Sequence, residues 1–286
     1  KNIAVIGEDR ETTIIDGGGS GSVVKLNSGE NSSSIFSNFT IINGSAGSGG
    51  GLYIENSNPI ITNLDITNNN GISSGGGIFI QYSSSVLTDI NIISNTSAKG
   101  AGICSDNSQA IFENINVLNN ISSINGGGID SYNSSDSINN STISNNHSAS
   151  NGGGVYSVNS NSSFDNVLII GNYSEIHGGG GYFKSDSTLL NNVTVSDNTC
   201  VHDGGGFLFH GVDAELTSVL ISDNQAKAGG GLAISENPDN TSEQSHIELY
   251  NVTIAYNTAT QSNSGDGVLL KNNSNLNINN SIVWNV

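Results

Sequence analysis

The chain has 286 residues, 25 of them acidic and 7 basic, for a formal net charge of -18. So few cations could not neutralise a phosphate backbone, which excludes nucleic acid as a partner and argues against docking on anionic membranes. Charged residues are only 11% of the chain, and Asn, Ser and Thr stand where Lys and Glu usually do, yet regularly spaced Ile, Val, Leu and Phe oppose disorder.

Read from the start, Ile3-Ala4-Val5-Ile6 already alternates as a strand, and a polar stretch from Asn27 to Ser33 interrupts the first units. From residue 49 a regular mark appears. Glycines stand at 49, 75, 100, 126, 152, 178, 204 and 229, spaced by 25 or 26, with weaker copies at Gly19 and Gly265. Such a period means one supersecondary unit stacked on itself. Three short runs follow each mark. The first places apolar residues at +1 and +3, as in Ile78/Ile80 and Leu232/Ile234; the second ends two places before an Asn, as in Phe112-Glu113-Asn114; the third resumes after it, as in Ile115/Val117. Period-two alternation predicts strands with one buried face. Between Gly229 and Gly265 the spacing grows to 36, chiefly through Ser235 to Glu243. The chain stops in strand pattern at Ile282-Val283-Trp284.

These runs predict an all-β chain: a right-handed parallel β-helix of about ten three-strand coils, each of ~26 residues, with coils ~4.8 Å apart. Two asparagine columns mark its corners. One contains Asn38, Asn63, Asn114, Asn140 and Asn166, the other Asn69, Asn95, Asn120, Asn146, Asn172, Asn198, Asn224 and Asn257. Asn tolerates the left-handed bend, and stacked amides bond along a column. On that reading Asn166→Leu costs on the order of 1–3 kcal/mol through unpaired buried amides. Both ends run in strand pattern, whereas a solenoid requires caps, so residues 1–286 read as a single β-helix domain, a segment of a longer chain lacking one or both caps. No signal peptide and no apolar run of about 18 residues occurs, which argues against direct membrane insertion. Cys104 and Cys200 lie about four repeats apart, beyond the reach of a disulfide.

The Gly75-Gly76-Gly77-Ile78-Phe79-Ile80 and Phe112-Glu113-Asn114 cadence resembles right-handed parallel β-helix proteins of the pectin-lyase-like superfamily. It is similar to the repeats of chlamydial polymorphic outer membrane proteins and autotransporter-type passengers. The opening, Lys1 to Gly7 and Thr12 to Gly17, resembles the start of many secreted β-helix proteins. The resemblance implies the fold; that fold hosts lyases, hydrolases, adhesins and pure scaffolds. A polyuronate lyase would imply a carboxylate cluster for Ca²⁺ beside a basic residue, but Arg10 is the sole arginine and the lysines are scattered.

For glycoside hydrolysis, Asp197 and Asp223 occupy equivalent places in adjacent coils and would stand about 5 Å apart. The bland reading makes them corner residues, in a column shared with Asn68, Asn119 and Asn145. With Asp203 they are also the candidates for Ca²⁺. His177 and His202 fall beside the glycines in neighbouring coils, where an exposed pair is the plainer reading than a Zn²⁺ site.

Recognition has two candidate surfaces. The residue between the inward +1 and +3 positions points outward, giving an apolar stripe that includes Tyr53, Phe79, Tyr156 and Tyr182. Such a stripe fits glycans, other surface proteins or further copies of the chain, or is an aromatic ladder that only stabilises the sheet. The long insertion carries Glu236, Asp239 and Glu243, which fit a cation or a partner. The leading functional expectation is a non-catalytic, extracellular or cell-surface scaffold acting as adhesin, stalk or assembly module. The alternative is a carbohydrate-binding or carbohydrate-active β-helix.

Overall fold

The computed structural model describes residues 2–284; Lys1, Asn285 and Val286, which the expected single domain includes, lie outside the described residues. The chain is all-β, a parallel β-solenoid of about ten coils. Among the described residues its strands form three parallel sheets, 16-, 9- and 10-stranded. A parallel pair needs a long crossover, and here the remainder of each coil supplies it. Among the described residues no helix is long and apolar enough to cross a membrane.

Three strands per coil were expected, but the chain divides them differently. The second and third runs are arms of one strand in most coils, such as Ile60–Thr67 and Val86–Ile93, bent where Asn63 and Asp89 adopt positive φ. A short strand then follows, such as Asn70–Ser74 or Thr96–Lys99, with too little alternation to be read from sequence. The first run becomes Leu52–Glu55, Ile78–Gln81 and their copies in the ten-stranded sheet.

Left-handed corners close each coil. In one coil they fall at Asn63, Asn68, Gly75 and Tyr82, with φ of 55°, 57°, 61° and 50°. The triplet does two jobs. Gly75 supplies positive φ, while a Cβ on Gly76 would sit 2.3 Å from the Thr96 carbonyl oxygen of the next coil. The position is glycine in most coils and Ala101 in the next, residues of minimal bulk that suit that approach. The interior is filled by the alternating residues: Ile61, Leu64, Ile66, Ile78 and Ile80 are fully buried in one coil. Each contributes roughly 1.5–3 kcal/mol by leaving water. In the end coils the same inward pattern stays exposed, as at Val5, Ile278 and Val283.

The two asparagine columns differ sharply. Asn69 to Asn257 form a buried ladder: Asn120 Nδ2 and its backbone N–H both donate to Asn146 Oδ1, at 3.0 Å each, and Asn146 repeats this on Asn172. Asn146 Nδ2 also donates to the Val117 carbonyl at 2.9 Å. The other column is superficial. Asn166 is exposed, sits at φ 55°, and donates to Asn140 Oδ1 at 2.6 Å in solvent. The expectation that Asn166 buries its amide is therefore corrected: that column is selected for the left-handed bend.

A third ladder was missed. Ser83, Ser108 and Ser134 each donate a backbone N–H to the hydroxyl of the next coil's serine, at 3.1–3.2 Å, and Ser160 N–H donates to Asp186. Beside it, Ser105, Ser131 and Ser157 replace the apolar +3 residue, and Asp136 accepts from Ala110 N–H at 2.9 Å. The middle coils thus carry a polar seam inside an apolar core. Burial, opposed by their hydrogen bonds, pushes Asp136 up to about 6 and Asp186 up to about 7.

Two predictions follow from these columns. Asn146→Gly strips bonds from both neighbouring coils and should destabilise by about 3 kcal/mol, whereas Asn166→Gly, keeping its φ, should change stability by less than about 0.5 kcal/mol. Denaturant unfolding of the two variants checks this, and equal losses would show that both columns have the same role. Unfolded aspartate ionises near 3.9. Folded Asp186 holds its proton to about 7, so the folded state binds the extra proton between these values and its stability falls as pH rises through that window. Asp186→Asn should match wild type at pH ~4 and exceed it at pH ~8, by on the order of a few kcal/mol. Melting curves at the two pH values that stay parallel between the proteins would refute the buried, neutral carboxyl.

Candidate functional site

The outward stripe lies on the ten-stranded sheet, one residue per coil in register: Tyr53 beside Phe79, then Cys104, Asp130, Tyr156, Tyr182, Leu208, Ala233 and Leu269. The positive-φ glycine turns the preceding short strand back beside it. A Cβ on Gly75 would fall 2.9 Å from the Phe79 Cα. That corner is therefore concave, and the stripe floors a trough. Ser74, Lys99 and Asn125 stand on one side, and Asp106, Tyr132 and Val158 on the other.

This corrects the picture of a freely exposed stripe. Phe79 and Tyr182 are 8% and 7% exposed, and Tyr53 and Tyr156 are half-buried. The rings stack along the rod, Tyr53 on Phe79 at 5.4 Å between centroids and Tyr156 on Tyr182 at 5.2 Å. Tyr182, Leu208 and Ala233 form a small cluster separate from the main core. Part of the stripe is thus a stabilising aromatic ladder. What it leaves accessible is the upper surface of Tyr53 and Tyr156 and the break between the two stacks.

In that break Asp130 is 3% exposed, and its Oδ2 has no hydrogen-bond partner. Burial, partly offset by Lys99, pushes this carboxyl up to about 7. Neighbouring Cys104 is a free, buried thiol whose value burial raises well above normal. Cys200 is likewise free and buried, pushed up to about 12 in a column otherwise held by Ser, Ala and Gly. Neither thiol has the lowered value that nucleophilic chemistry uses.

The insertion folds back over earlier coils. Asp239 pairs with Lys184, and Glu243 accepts from Asn237, Asn240 and Ser185, bonds that hold its carboxyl below the usual range. Two of its three carboxylates thus strap the loop to the rod, and Glu236 is half-buried at its base. The carboxylates of Asp239 and Glu243, which the sequence offered to a cation or a partner, are engaged within the chain.

Asp197 and Asp223 occupy left-handed corners at φ 57° and 58°, both exposed. A general acid needs a setting that keeps it protonated, and solvent exposure does not provide one. Asp203 pairs instead with Lys271 at 3.1 Å. Among the described residues no group of three or more His, Cys, Asp or Glu is placed to hold a metal ion. The candidate Ca²⁺ set of Asp197, Asp203 and Asp223 is not brought together.

His177 and His202 do meet, their rings 5.5 Å apart and tilted by 45°, and His210 joins them edge-on, 6.5 Å from His177. His210 sits two strand positions beyond the stripe, where only register reveals the neighbour. His177 Nδ1 accepts from Asp203 N–H, and Tyr182 Oη lies 3.1 Å from His210 Nδ1. Burial, aided by His177, pushes His210 down to about 4, so it stands neutral at physiological pH.

A family model described as the Chlamydia polymorphic membrane protein (Chlamydia_PMP) repeat matches residues 140–158. That stretch runs from the corner Asn140 through ladder Asn146 and the triplet Gly152-Gly153-Gly154 to the strand Val155–Val158. It spans a corner, the buried ladder and the trough floor. The chain matches no curated protein and no solved structure. It is a β-helix repeat protein resembling polymorphic membrane proteins and autotransporter passengers, a likeness consistent with the cell surface.

Proposed function

We propose that this chain is a non-catalytic, cell-surface β-helix module that works by contact, as an adhesin or a stalk bearing one. The observation that carries this reading is the repeat match at residues 140–158, whose corner, ladder and glycine pattern recurs in every central coil. A rod built wholly from such coils presents a long, acidic, Asn- and Ser-rich surface with one continuous trough. Exposure of Asp197 and Asp223 favours contact over hydrolysis.

Carbohydrate is the ligand class that the trough favours over protein or self-association. Stacked tyrosine and phenylalanine rings offer flat apolar faces beside hydroxyl, amide and carboxyl groups. Ca²⁺ remains a proposed ligand only for the exposed carboxylates and has no built site to support it.

Beads coated with the folded chain should adhere to cultured animal cells several-fold above albumin-coated beads. Adhesion should fall when the Tyr53→Ala/Tyr156→Ala variant replaces wild type. Adhesion at the albumin level, together with turnover of a polysaccharide abolished by Asp197→Asn, would replace this reading with an enzymatic one.

A further inference from the structure

The aromatic ladder on the trough floor is interrupted once, and the interruption has the makings of a site. Phe79 stacks on Tyr53 on its N-terminal side, and Tyr156 stacks on Tyr182 on its C-terminal side. The two strands between them carry Cys104 and Asp130 at the ladder position. At about 4.8 Å per coil, the free faces of Phe79 and Tyr156 are separated by roughly 14 Å. A cavity of about 210 Å³ occupies the break.

Asp130 gives an independent sign of a ligand. It is more than nine-tenths buried, it faces this cavity, and Oδ2 lacks a donor. Buried acceptors in folded proteins are nearly always satisfied, by protein, water or ligand. The surrounding charges then choose among occupants. Lys99 on one wall opposes a cation, and Asp106 on the other opposes an anion. What remains is a neutral group with a flat apolar face and several hydroxyl donors.

We propose that this break is a binding slot for one neutral pyranose ring, stacked on the free face of Phe79 or Tyr156 with a hydroxyl donating to Asp130 Oδ2. The volume lies below the roughly 300–1,000 Å³ of pockets for drug-sized ligands, which fits a single ring or the terminal residue of a glycan. Asp106 and Ser74 at the rim supply further polar contacts. Cys104 is what keeps the slot open, since its small side chain stands where a ring would otherwise continue the ladder. The slot deepens the contact-module reading and rests on it only for its use in the cell.

Saturation-transfer NMR with methyl glycosides of glucose, galactose, mannose and N-acetylglucosamine tests this on the wild-type chain, with arginine amide and glucuronate as charged probes. At least one neutral glycoside should bind and shift the ring resonances of Phe79 or Tyr156. Cys104→Phe should extend the ladder by one ring into the break, leave the melting temperature equal or higher, and weaken binding at least about tenfold. Asp130→Ala should weaken it comparably. The slot is wrong if no neutral glycoside binds the wild type, if binding survives Cys104→Phe, or if arginine amide binds in its place. Glycoside binding without bead adhesion would sink the adhesive reading alone; bead adhesion without glycoside binding would sink the slot alone.

Discussion

Strand residues of successive coils sit beside their counterparts one coil away, at the spacing of a parallel β-ladder, and the rest of the structure depends on that constraint. A column that stacks on itself must be able to bond or pack with itself. Amides do so in both directions, since each can donate and accept. Serine hydroxyls do so with backbone N–H groups, apolar side chains pack, and glycine lets backbones approach. Like charges set side by side destabilise a sheet, which explains why only 11% of the residues are charged. Where acids occur, an amide is often their neighbour: Asn91 donates to Asp65 at 2.7 Å, Asn191 to Asp165 and Asn277 to Glu248, both at 2.6 Å. The composition that first suggests disorder is thus the composition that a self-stacking rod selects.

The same constraint shows where the chain departs from mere stability. Most ladder positions are filled with residues that satisfy their neighbours. The Asp130 position is not: a carboxyl with an orphaned oxygen interrupts a run of rings that could have continued. Asp136 and Asp186 each take a hydrogen bond from a backbone N–H within the polar seam, although Asp186 Oδ2, like Asp130 Oδ2, has no partner. One kind of buried acid extends a ladder, and the other breaks one.

Much of the fold was legible because period and alternation are local properties. The glycine marks fix the coil, and Ile/Val spacing fixes what points inward. The serine column was legible too, since Ser57, Ser83, Ser108, Ser134 and Ser160 recur at the same period, but serine is so abundant that its column does not stand out. Sequence could not separate the two asparagine columns. Asn146 and Asn166 look alike as letters; the difference is that Asn166 occupies the left-handed corner itself while Asn146 follows one, at Asn145, and so turns its amide inward.

The sequence by itself determined the coil, its period, the corners and the register of the stripe, because each follows from repeated short-range patterns. Only the tertiary structure decided that the glycine corner is concave, that the insertion folds back onto Lys184 and Ser185, and that His210 meets His177. These depend on the direction in which a bend turns the chain and on contacts between residues 33 to 58 positions apart. An outward-pointing residue is exposed on a convex face and sheltered on a concave one. Alternation reports which side of a strand a residue occupies, and it carries no information about what the next bend brings over that side.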